Sequence, residues 1–280
     1  VDPKTILAGN DPANPIQILS TEPNLISNGD ALVSVALPAG TAASAVRVLA
    51  AGSDQTSHFQ ETKPGLLLGV VNGLPVGPSS IDVVPAAGGA TMATVAVRNW
   101  PIQGPIVSGP HQTPFFCQTQ QFLLPDGSSL GAALDGDCTV ATQVTYMYRA
   151  TSGGALKPMP STTTLPSDVA MTTTTAGVTV PFVVRVETGT VDRGIYQSAV
   201  LHDPTKEATP TPLAPPKAWN RRLIAIEGFG CPGGWYIQGA AEGNLAIAGF
   251  DFSLLNPDRL GEGNAMFANT LMHASNNCNA

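Results

Sequence analysis

Charge is scarce in this chain of 280 residues: 12% are Asp, Glu, Lys or Arg, and they leave a formal net charge of −7. The 13 Lys and Arg are scattered, so no basic stripe exists to release counterions from phosphates, and nucleic acid is excluded as a partner. Long apolar runs are missing too. The longest, around Leu66–Val71, has the size of one strand, so no membrane span is expected and the protein is expected to be soluble. The four cysteines include no Cys-x-x-Cys pair, and Asp126, Asp135 and Asp137 lack the spacing of an EF-hand loop; no metal site is expected. No G-x-x-x-x-G-K-[S/T] is present and no G-x-G-x-x-G opens a helix, so no phosphate-cradling loop and no cofactor are expected.

What the chain does have is 29 Gly, 25 Pro and many Val, Thr and Ser, a composition suited to short strands joined by tight turns. Cys117, Cys138, Cys231 and Cys278 are even in number and read as two disulfides of an exported protein. The first residue is Val1, as in a mature chain whose export signal has been removed, and a secreted or periplasmic location is expected.

Over residues 1–100 strands and turns alternate. Ala31–Leu37 follows the turn Ser27-Asn28-Gly29-Asp30, and Ala45–Ala50, Gly65–Val71, Ser80–Val84 and Thr91–Asn99 come next. Asn72-Gly73, Val76-Gly77-Pro78 and Ala87-Gly88-Gly89 read as turns between them. This rhythm predicts a mostly β domain, an immunoglobulin-like sandwich without that fold's paired Cys and Trp. Residues 101–178 read as a loop-rich connection in which a Cys117–Cys138 bridge would contribute about 3 kcal/mol. Gln143–Arg149 is a strand there, and Ser161–Thr175 is extended surface. In residues 179–280, Val180–Glu187 and Gly194–Leu201 are strands, and prolines between Thr209 and Pro216 lead to Arg222–Glu227. That last run is short and apolar in its centre, the form of a buried parallel strand. Asn264–Ala274 is either a short helix or the next parallel strand.

The segment richest in possible chemistry follows Arg222–Glu227. Gly228, Gly230, Gly233 and Gly234 form a loop whose backbone can approach a ligand closely. In α/β-hydrolases a loop after such a strand gives one backbone N–H to the oxyanion hole. A plain turn is the commoner meaning of such glycines.

The stretches PFVVRVETGTVDRGIYQSAVLHDP, Trp219-Asn220-Arg221-Arg222-Leu223, GFGCPGGWYIQG and Asn276-Asn277-Cys278-Asn279, in this order, resemble a family of large secreted bacterial proteins. That family joins an N-terminal β domain to an α/β-hydrolase domain related to tannases and polyester depolymerases. The resemblance is firm over Thr179–Asn279 and looser before it. It implies that residues 179–280 are the N-terminal part of a hydrolase domain completed by another chain. It also implies a Gly-Cys-Ser-Gly-Gly nucleophile elbow downstream of Asn279, with no catalytic triad residue on this chain. This chain would then supply the oxyanion loop, with Gly230 and Cys231 as backbone donors and Gly233 and Trp235 at the pocket. A second chain cut from the same precursor would supply serine, histidine and acid, for a small or polymeric ester or amide substrate. Cys231 and Cys278 would pair with each other, or one of them with a cysteine beside the nucleophile.

His58, His111, His202 and His273 are read as structural or surface residues, although His202-Asp203 invites a triad reading and His273 lies near the expected active edge. Neighbours on a strand point to opposite faces, so His202 and Asp203 are not expected to pair. Glu187, Asp192 and Arg193 read as a polar cluster at a turn. The alternative function, of another class, is a non-catalytic β module that binds a polymer or cell surface.

Overall fold

The computed structural model describes residues 9–106, 110, 111, 113, 115–226 and 255–269. The chain divides into two compact units, Val1–Val107 and Ser108–Ala280.

Among the described residues the first unit contains nine strands: β1 (Ile16–Ile18), β2 (Ile26–Ser27), β3 (Ala31–Ala36), β4 (Val46–Ala50), β5 (Ser53–Asp54), β6 (Phe59–Lys63), β7 (Leu66–Val71), β8 (Gly77–Pro85) and β9 (Ala93–Trp100). They form a four-stranded sheet, β1-β3-β7-β6, and a five-stranded sheet, β2-β9-β8-β4-β5. Alternation along the strands puts Val33 and Val35 of one sheet and Val46, Val48, Ile81 and Val83 of the other into one core. Val76-Gly77-Pro78 is not a turn as expected. Gly77 and Pro78 already pair with Asn99 and Arg98, because the positive φ of Gly77 (106°) lets the chain bend and enter the ladder at once. Strand β6 gave no sequence signal, since its residues are mostly exposed; Phe59 lies over Gly69 of β7, where a Cβ would come within 2.5 Å of the ring. The expected turn at Asn28-Gly29 is held from below by Asn99, which is 3% exposed. Its Oδ1 accepts from Gly29 N–H (3.0 Å) and its Nδ2 donates to the Leu74 carbonyl (2.8 Å).

The second unit adds β10 (Gln143–Tyr148), β11 (Lys157–Pro158), β12 (Met171–Thr173), β13 (Thr179–Pro181), β14 (Val183–Val191), β15 (Gly194–Leu201), β16 (Leu223–Ile226), a short helix α1 (Pro257–Gly261) and β17 (Ala265–Asn269). Six of these strands make one sheet, β11-β10-β14-β15-β17-β16. Within it β16 and β17 are parallel, and every other pairing is antiparallel. Asn264–Ala274, open between helix and strand on sequence, is a strand over Ala265–Asn269. Part of Ser161–Thr175 is not bare surface: Met171–Thr173 pairs with Thr179–Pro181 as a hairpin. One sheet face buries Met147, Val184, Val186, Ala199, Leu201, Met266 and Ala268 against Leu260 of α1.

Two substitutions test these packing arguments. Asn99→Ala leaves a buried N–H and a buried C=O unpaired and should cost about 2–4 kcal/mol in chemical denaturation. Gly263→Ala places a Cβ 2.5 Å from the Ala218 carbonyl at φ 89°, and a loss of at least about 2 kcal/mol is expected.

Candidate functional site

The approach to β16 is fixed by one side chain. Asn220 Nδ2 donates to Thr175 Oγ1, the Glu262 carbonyl and Asn264 Oδ1, and its Oδ1 accepts from Arg222 N–H. The linker is thereby tied to the loop between α1 and β17, so β16 and β17 start side by side. Trp219 adds an Nε1 hydrogen bond to the Arg222 carbonyl (2.9 Å), and Arg221 lies 5.2 Å over its ring.

Both parallel strands run toward one edge of the sheet. Ile226 is level with Ala268, and Asn269 is level with Tyr196 of the antiparallel β15. The carboxyl edge of the parallel pair is therefore also the edge that carries the β14–β15 turn and the start of β10, where Gln143 pairs with Thr188. In open α/β sheets ligands bind outside the carboxyl ends of the parallel strands.

Strands β14 and β15 meet in a two-residue turn, Asp192-Arg193, with both φ values positive (46° and 64°) and no glycine. Side chains hold this conformation. Asp192 is fully buried and accepts from His111 Nε2 at 2.8 Å, while His111 Nδ1 faces Asp137 Oδ1 at 3.4 Å. Arg193 Nε and Nη2 donate to Asp137 Oδ1 at 3.1 and 2.9 Å, and its guanidinium lies 4.6 Å over the Phe115 ring. The expected cluster is thus a different one. Arg193 binds Asp137, and Glu187 instead accepts from Arg185 (2.9 Å) and from the Tyr196 hydroxyl (3.2 Å) on the sheet face.

Asp137 lies next to Cys138, whose bridge to Cys117 is formed as expected. Phe122, Leu124, Leu130 and Val140 pack around Ile195, two residues from the turn. Within this loop Asp135 accepts from the backbones of Asp137 (2.9 Å) and Thr139 (3.1 Å). Hydrogen bonds from Thr139, first among the causes, hold the Asp135 carboxyl below its ordinary value of 3.8.

The loop also contains a motif with the letters of a nucleophile elbow. Gly127-Ser128-Ser129-Leu130-Gly131 spells G-x-S-x-G, but it is no nucleophile elbow. An elbow needs a strand, a sharp turn and a helix; here Leu124 N–H bonds to the Ser128 carbonyl and Leu130 N–H to the Phe122 carbonyl in a small hairpin. Ser129 Oγ donates to the Gln120 carbonyl (2.7 Å) and Ser128 Oγ to Asp126 (2.6 Å), so both hydroxyl protons are engaged away from any histidine.

The other histidines are structural where described. His202 Nε2 donates to the Ala208 carbonyl (3.0 Å), which leaves Nδ1 to accept from Tyr146 (3.2 Å). Burial, only partly offset by Arg185, pushes the Tyr146 phenol up and keeps it a donor. Asp203 turns away to cap Thr205 and does not pair with His202. His58 contacts Asn72 at 3.4 Å. Among the described residues no group of three His, Cys, Asp or Glu could hold a metal ion, and no helix is long and apolar enough to cross a membrane. Gly230, Cys231, Gly233, Trp235, His273 and Cys278 lie outside the described residues.

A cavity of about 530 Å³, lined by Arg149, Thr172, Thr175, Phe182 and Asp258 among others, lies at the opposite, amino edge of the parallel pair.

Residues 16–280 match the profile of the Tannase-like family of unknown function (DUF6351). The chain belongs to this family. Membership relates it to esterase-type hydrolases. No curated protein and no solved structure matches the chain. In this tannase-like protein Gly228, Gly230 and Gly233 have G-x-G-x-x-G spacing, and they lie outside the described residues.

If hydrogen bonding to Asp135 anchors the disulfide loop, its contribution is present above 3.8 and is lost as pH falls through the lowered folded value. Protection of the Asp137 and Thr139 amides relative to their intrinsic exchange rates should fall in that acid range, and Asp135→Asn should remove this pH-dependent loss of protection.

Proposed function

We propose that this chain is the non-nucleophile part of a secreted serine hydrolase that cleaves ester, or amide, bonds. It supplies the oxyanion loop and the β-rich unit, and a second chain from the same precursor supplies the triad. One observation carries the reading: counted from the β14–β15 hairpin, β16 is the third strand, and the glycine-rich stretch follows it in sequence. In α/β-hydrolases the loop after the third strand donates an oxyanion N–H. Family membership supports the same chemistry.

The mechanism is acyl transfer. The partner's serine attacks the carbonyl, its histidine takes the proton, and its acid orients the imidazole. The N–H groups of Gly230 and Cys231 receive the charge that develops on the carbonyl oxygen, and the glycines keep side chains out of their way. The β-rich first unit, whose two sheets share a core, takes the accessory role, and that arrangement is compatible with a sandwich of immunoglobulin-like type.

Intact mass spectrometry with and without reductant tests the division of labour. A second polypeptide bearing a G-x-S-x-G elbow is expected, and the isolated chain should not hydrolyse 4-nitrophenyl acetate. A lone active chain would overturn the proposal. In the assembled enzyme Gly230→Pro removes one donor and should lower kcat by about 10²–10³-fold.

A further inference from the structure

We infer that the disulfide-closed loop over residues 115–140 is a wall of the substrate cleft, and that its exposed apolar side chains bind the apolar acyl group of the ester. The inference rests on the hydrolase reading and extends it to a substrate class.

Placement comes first. Ile226, Ala268 and Gln197 are level across β16, β17 and β15, so two strand spacings, about 10 Å, separate the end of β16 from β15. From Gln197 the hairpin runs four residues further to Arg193, about 13 Å beyond that level. The turn and the loop locked to it therefore overhang the edge at which β16 ends. That reach matches the scale of a small-molecule cleft.

The loop's composition comes second. Nine large hydrophobic side chains are exposed among the described residues, and Phe116 (40%), Leu123 (64%) and Leu134 (73%) all belong to this loop. Leu123 is the telling one. Its neighbours Phe122 and Leu124 point inward onto Ile195, so Leu123 occupies the outward position of a small hairpin, where a polar residue would be expected of a purely structural loop.

Rigidity comes third. The Cys117–Cys138 bridge closes the loop on itself, the Arg193–Asp137 pair ties it to the strained turn, and the His111–Asp192 hydrogen bond holds that turn from the segment before the loop. Such preorganisation removes most of the ordering cost that an apolar ligand would otherwise have to offset. Backbone strain kept up by buried charges is also a mark of functional sites. An alkyl or aryl acyl chain has the chemistry to fill this surface, and a charged or sugar-like group does not.

The test uses the full protein together with its nucleophile. The ratio of kcat/KM for 4-nitrophenyl octanoate over 4-nitrophenyl acetate should fall at least about tenfold in Leu123→Ser/Leu134→Ser. It should be unchanged in Met92→Ser, an exposed residue of the first unit. Thermal unfolding of the variants checks that they fold. An active double variant whose ratio equals that of the wild type overturns the wall and leaves the hydrolase reading standing. A wild-type protein that cleaves neither ester removes both. As a readout free of catalysis, octanoate but not acetate should slow amide exchange within Phe115–Leu134, and equal protection by the two overturns the inference.

Discussion

The antiparallel ladder between β14 and β15 is the interaction on which the second unit depends. It runs from Val184↔Leu201 to Val191↔Gly194, and each remaining part of the sheet is attached to one of its sides. Strand β10 pairs with the outer side of β14, β17 pairs with the outer side of β15, and among the described residues β16 joins the sheet through β17. Its turn has to be tight, because Val191 and Gly194 already face each other. A two-residue turn of this hand requires positive φ at both central positions, which ordinarily selects Gly or Asn. Asp192 and Arg193 fill them instead, and the cost is offset by a buried hydrogen bond from His111 and a two-pronged contact to Asp137. Loop and hairpin therefore stabilise each other, and neither conformation is explained alone.

The six-stranded sheet has two unlike faces, and the difference follows from the same ladder. Val184, Val186, Ala199 and Leu201 point to the α1 side and are buried. The opposite face carries Tyr146, Arg185, Glu187, Tyr196 and Phe267, linked in a row. Tyr196 stacks with Phe267 at 6.3 Å between centroids and donates to Glu187, which binds Arg185. Burial raises the Tyr196 phenol above its ordinary 10.0, with the Glu187 charge acting in the same direction, so it remains a donor. A face of this kind satisfies its own polar groups while keeping its aromatic rings half-buried.

Strands written in alternating or fully apolar residues were legible from sequence: Ala31–Ala36, Gln143–Tyr148, Gly194–Leu201 and the short run into the glycine loop. The 117–138 bridge was legible from cysteine spacing. Phe59–Lys63 was not, because an exposed edge strand carries no burial pattern and is specified by its partner's Gly69. The role of Asp137 and His111 was also invisible. Their partners lie 56 and 81 residues away, and no local period records such a distance. The G-x-S-x-G at 127–131 shows the converse failure, a motif whose letters are present while its strand–turn–helix context is missing.

Position along the strands also decides which concavity belongs to the chemistry. The cavity beside Arg149 and Asp258 has the volume of a ligand site, and its row of threonines is polar enough to hold one. Yet Thr172 and Thr175 already donate to the carbonyls of Gly261 and Glu262, and the charge of Arg149 is answered by Asp258 at 3.9 Å. More decisively, it lies where β14 and β17 begin, a whole strand length from the end of β16. An oxyanion donor acts over hydrogen-bond distances of about 3 Å. A pocket at the amino edge cannot place a carbonyl there, whatever its volume. In the proposed hydrolase the substrate therefore belongs at the carboxyl edge, where β16 ends at Ile226 and the β14–β15 hairpin overhangs.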